Sequence, residues 1–207
     1  SYLSYEEIAP DKYFNYEDNL PPVIKTPFYF FKDQSDTLIS DVPTPTLKGK
    51  VDIVVGIRDQ GEHARGPAGN PYYNFGDRLC VSRVEYKIIR EGLGEELHKS
   101  FDFSKISFIY SLDEYKKVEI AYKSRYLIEK TVTDWNKFFS YYIITNWVEK
   151  NSICEFNSDD YTQCWDTTRL NPDGSEKYPN GIYKIIVMAY DFNGNSATGE
   201  QTVIVSN

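Results

Sequence analysis

The chain carries three cysteines, at positions 80, 154 and 164, and two histidines, His63 and His98. Cys154 and Cys164 bracket the polar loop EFNSDDYTQ, with no histidine beside them and no CxxC spacing. A zinc site there would lack its third and fourth ligands. The pair reads instead as a disulfide closing a short loop, worth about 3 kcal/mol in the chain-entropy picture and pointing to an oxidising compartment. Cys80, between Leu79 and Val81, reads as a buried structural thiol, although beside His63 it would make a cysteine–histidine nucleophile. HExxH, GxSxG, P-loop and GxGxxG patterns are absent, and those are the spacings that hydrolases and nucleotide binders use. With 31 acidic residues, no carboxylate pair stands out as a glycosidase acid and base. The expectation is a protein that is not an enzyme.

Two other sets could hold a ligand. Asp191, Asn193 and Asn195 alternate like the first ligands of a calcium loop. Glycine falls at 194 instead of after the third ligand, however, and no glutamate closes a loop of about 12 residues. An Asn193-Gly194 hairpin turn accounts for the same residues; Asp159 and Asp160 are a second calcium candidate. Tyr72, Tyr73 and Phe75 lie in a long glycine- and proline-bearing loop, 59–78. Loops of that length are uncommon without a role, and these rings could form a platform for a carbohydrate.

The elements that must position these residues read as strands. TPFYFF follows the double proline of DNLPPVI. In KVDIVVGIRD, Val51, Ile53, Val55 and Ile57 alternate, which predicts a strand with one face inward. VSRVEYKIIR and LHKSFDF flank the turn EGLGEE as two further strands. Residues 104–150 interrupt the rhythm. KKVEIAYK and RYLIEKTV offer strands, and then Trp135, Phe138, Phe139, Tyr142, Ile143 and Trp147 fall on one helical face behind Asp134 as N-cap. The β-branched residues of YYIIT would equally suit a strand. Near the end, Tyr183, Ile185, Val187 and Ala189 alternate after Pro179-Asn180-Gly181, and a last strand, Gln201–Ser206, pairs back.

The charge of −8 argues against nucleic acid, whose binders concentrate lysine and arginine. No apolar run of about 18 residues is present, so no membrane span is expected. The 18 tyrosines and 12 phenylalanines suit half-buried strands and contact surfaces.

Residues 165–207 combine Trp165-Asp166, Asn171-Pro172-Asp173-Gly174, Gly181-Ile182-Tyr183 and the run Ala189 to Asn195, AYDFNGN. This pattern resembles the immunoglobulin-like or fibronectin-III-like sandwich modules of secreted bacterial proteins, including that of the flagellar hook-capping protein. The resemblance implies an all-β, immunoglobulin-like antiparallel sandwich, expected over 46–207; the partly helical stretch 104–150 departs from it as an insertion, and residues 1–45 read as an extended arm. It makes Trp165, Asp166 and Tyr183 scaffold, with Trp165 between sheets and the Asp166 carboxylate taking turn N–H groups. The expected function is an extracellular or cell-surface structural or interaction subunit, joined to protein partners or to copies of itself by strand addition. A carbohydrate-binding module, or an accessory domain of a secreted hydrolase, is the alternative.

Overall fold

The computed structural model describes residues 19–59, 81–90, 92–94, 96–102, 121–129, 139–146 and 164–207. The fold is all-β, built as two sheets. Its strands are β1 (Val23–Ile24), β2 (Tyr29–Lys32), β3 (Leu38–Ser40), β4 (Thr46–Leu47), β5 (Lys50–Arg58), β6 (Arg83–Ile89), β7 (Glu96–Asp102), β8 (Ser140–Ile143), β9 (Trp165–Asp166), β10 (Gly181–Tyr190) and β11 (Ser196–Val205). No helix among the described residues is long and apolar enough to cross a membrane.

β5 is the spine of the first sheet. Ile57 is paired with both Ile24 and Ser140, Val54 with both Tyr29 and Ile143, and Val51 with both Lys32 and Trp165. β1 and β2 therefore run along one edge of β5, β8 and β9 along the other, and β3 continues outward from β2. The second sheet has the order β4-β11-β10-β6-β7. Its β10–β11 hairpin is regular from Gly181↔Val205 to Tyr190↔Ser196, and β4 lies parallel to β11.

The alternating residues of β5, Val51, Ile53, Val55 and Ile57, share one core with Val84, Tyr86 and Ile88 of β6 and with Tyr183, Ile185, Val187, Ala189, Val203 and Val205 of the hairpin. Burying each such side chain contributes roughly 1.5–3 kcal/mol, which is what binds the two sheets together. The expectation of one buried face on β5 is too narrow. Val54, on its other face, joins Phe31, Tyr141 and Ile143 in a second apolar cluster, because β2 and β8 bring large rings over that side.

Two further expectations are corrected. The helical insertion is not seen: Ser140–Ile143 is a strand, the β-branched residues of YYIIT prevailing over the helical spacing because β5 offers them an edge. The described part of RYLIEKTV is a single 3₁₀ turn, Arg125–Leu127, rather than a strand. Trp135, Phe138 and Trp147 lie outside the described residues, as do residues 1–18 of the expected arm. Residues 23–40 supply three strands of the first sheet, with Phe28, Phe30 and Phe31 fully buried.

Gln201 of β11 ties the sheets at a point the sequence reading passed over. It is buried, its Oε1 accepts from the backbone N–H of Phe28, and its Nε2 donates to Val42 O at 2.9 Å.

Candidate functional site

Among the described residues β3 is paired only with β2 and β7 only with β6; β1 and β4, at the opposite ends of the two sheets, are only two residues long. The β2–β3 turn is closed by Lys32 N donating to Thr37 O (2.9 Å) and Ser35 N to Lys32 O (3.0 Å). Lys123 braces it from beside the sheet, with Nζ donating to Ser35 O (2.7 Å) and pairing with Asp36 (2.8 Å). Gln34 takes a positive φ of 50° and donates its N–H to Asp52 Oδ2 at 3.1 Å. The strand that leaves this turn exposes its apolar side chains: Leu38 is 41 % and Ile39 40 % accessible, and Val42 beyond it 49 %. Consecutive exposed aliphatics on an edge strand form a template for another chain.

Beneath the turn, Asp52 is 2 % accessible. Burial pushes its carboxyl up to about 6; the Gln34 N–H and Thr145 hydrogen bonds and Lys123 pull the other way, and Asp33 adds to the rise. Because the folded value lies above the unfolded one, Asp52 favours folding most below about pH 4 and loses that contribution as pH rises through 6. Asp52→Asn is expected to raise stability by about 2 kcal/mol more at pH 7.5 than at pH 4.5, as read by urea midpoints at the two values. An equal gain at both would show that the carboxylate's charge is not what costs.

Cys164 sits half-buried beside the same carboxylates, and it is a free thiol. The expected Cys154–Cys164 disulfide is therefore corrected: Cys164 leads directly into β9, where its sulfur meets the Asp33 side chain. Cys154 lies outside the described residues. Burial, reinforced by Asp33 and Asp52, pushes the thiol up to about 12, so it holds its proton and is a poor nucleophile.

A second polar cluster covers the outer face of the first sheet. Lys25 Nζ donates to Glu129 Oε1 and to Tyr141 Oη, both at 2.9 Å, and Arg125 Nε to Glu129 Oε2 at 2.7 Å. Tyr141 Oη also donates to Glu129, and Lys25 lies 5.8, 5.5 and 5.4 Å from the ring centroids of Tyr29, Phe139 and Tyr141. Burial opposes ionisation of Glu129, but the three donors outweigh it and hold the carboxyl near 2. These partners pin the 121–129 segment to Lys25, just after β1, and to Tyr141 of β8.

The remaining candidates disperse. Asp191 is buried at the hairpin tip, where Oδ1 accepts from Asn193 N (2.9 Å) and Asn195 N (2.8 Å) and Oδ2 from Asn195 Nδ2 (2.7 Å). Those donors take up the carboxylate that a calcium ion would need, and Gly194 closes the turn at a φ of 91°. Trp165 is in the main core, edge-on to Tyr178 and Tyr183 at 5.7 and 5.9 Å. Tyr183 Oη donates to Pro179 O at 2.7 Å, and Asp166 Oδ1 accepts from Thr168 N at 3.0 Å and from Thr168 Oγ1 at 2.7 Å. Tyr72, Tyr73, Phe75, His63, Cys80, Asp159 and Asp160 lie outside the described residues. Comparison with known proteins gives no significant match to a family model, a curated protein or a solved structure. The functional reading therefore rests on the chain's own edges and surfaces. Exposed Leu38 and Ile39 were missed in the sequence; two adjacent aliphatics between Asp36 and Asp41 were the available signal.

Proposed function

We propose that this chain is an immunoglobulin-like structural or interaction subunit of a cell-surface assembly, joined to its partner by a strand added to the β3 edge. The single observation that carries the reading is the outward-facing strand itself, with Leu38 and Ile39 exposed on it and Val42 exposed just beyond it. β7 is the lesser candidate, since its Ser100 and Phe101 are buried.

The immunoglobulin-like part is supported by topology. The order β11-β10-β6-β7 follows the G-F-C-C′ order of such domains. Tyr183, near the start of β10, donates its hydroxyl to the carbonyl four residues upstream, as the tyrosine of the E–F corner does. The surface location rests on the resemblance of 165–207 to secreted modules.

A random heptapeptide library selected against the full chain tests the reading. Expected are extended sequences of alternating β-branched residues whose binding is lost in Ile39→Lys, since a lysine on the edge blocks strand addition. Selected peptides that bind wild type and Ile39→Lys alike, or no enrichment at all, would sink it.

A further inference from the structure

The segment that turns into β3 and leaves it, residues 33–42, contains Asp33, Asp36 and Asp41 and no lysine or arginine. Asp36 stays 73 % accessible even while paired with Lys123, whose own side chain is only 9 % accessible, and Asp41 is exposed. The aliphatic centre of the edge is thus bracketed by exposed carboxylates.

That bracket discriminates among occupants. Two copies of β3 paired antiparallel about Ile39 would set Asp36 against Val42 and Asp41 against Thr37, so neither carboxylate would gain a cationic partner. Parallel pairing in register would stack like charge on like. Like charges across a strand pair are destabilising. Residues 1–18 of a neighbouring copy are no better suited, with Glu6, Glu7, Asp11, Glu17 and Asp18 against Lys12.

We infer that the β3 edge receives an extended segment of a different chain, aliphatic at its centre and flanked on both sides by lysine or arginine. This rests on the strand-addition reading above and adds the partner's chemistry: main-chain hydrogen bonds and the Leu38–Ile39 contacts hold the strand, while Asp36 and Asp41 fix its register and exclude acidic competitors.

The test uses two labelled heptapeptides of alternating threonine and valine, one ending in lysine at both ends and the other in glutamate, measured by fluorescence anisotropy against the full chain. The lysine-ended peptide is expected to bind about tenfold tighter at low salt, with the advantage gone at about 0.5 M salt. Asp41→Lys, an exposed change, should shrink the difference, and the Asp36→Lys/Asp41→Lys double variant should reverse it. Equal binding of the two peptides, or a preference for glutamate, overturns the inference. If neither peptide binds but the chain self-associates in a way that Ile39→Lys abolishes, a second copy is the occupant, and the partner inference falls while strand addition stands. If neither binds and Ile39→Lys alters no association, both fall.

Discussion

Trp165→Ala is expected to destabilise the fold by about 4 kcal/mol, read as a lowered urea midpoint with an unchanged slope. The indole is buried in the main core, and it packs edge-on against Tyr178 and Tyr183, which pack edge-on against each other at 6.3 Å. Alanine would leave a cavity under the Tyr183–Pro179 hydrogen bond and loosen the short β9 pairing of Trp165 with Val51. Trp165→Phe should cost much less, about 1 kcal/mol, because the buried Nε1 finds no acceptor among the described residues and phenylalanine retains an aromatic edge. Equal losses for the two variants would show that the volume of the ring is not what matters at this position.

The next largest effect is expected at Gln201. Gln201→Leu keeps the size of the side chain but strips the partners from Phe28 N–H and Val42 O, at a cost of about 3 kcal/mol for two buried backbone groups left unsatisfied. The damage should also be directional. Val42 is the anchor point just beyond β3, so amide exchange at Leu38–Ser40 should accelerate more than exchange in the β10–β11 hairpin. A uniform acceleration would mean that Gln201 serves only global stability.

The fold was legible where strands obey a period of two and meet a single core. The β10–β11 hairpin has Tyr183, Ile185, Val187 and Ala189 inward, and its turn is marked by Asn193-Gly194. Legibility failed where tertiary cover overrode local pattern. Asp52 looks like the outward polar residue of an alternating strand, yet the β2–β3 turn folds back over it. Tyr142 and Ile143 fit a helical face, but an unfilled edge of β5 drew them into a strand. Gln201 was detectable, since it falls in the inward register with Val203 and Val205, where a polar residue needs a partner. The Cys154–Cys164 expectation rested on the short loop between them and the lack of zinc ligands nearby, and nothing local in the sequence reveals that Cys164 faces Asp33. The candidate edge was the least legible part, because exposure of Leu38 and Ile39 depends on which neighbour β2 acquires.

Amide hydrogen exchange on the full chain, with and without the tightest-binding peptide from the library selection, tests the central claim most directly. Strand addition predicts that at least one of the Leu38, Ile39 and Ser40 amides slows by about tenfold or more when the peptide is present, while amides inside the β10–β11 hairpin keep their rates. A peptide that binds and leaves the β3 amides unchanged, or that protects the Asp191–Asn195 turn instead, would contradict the account and place the interaction elsewhere on the molecule.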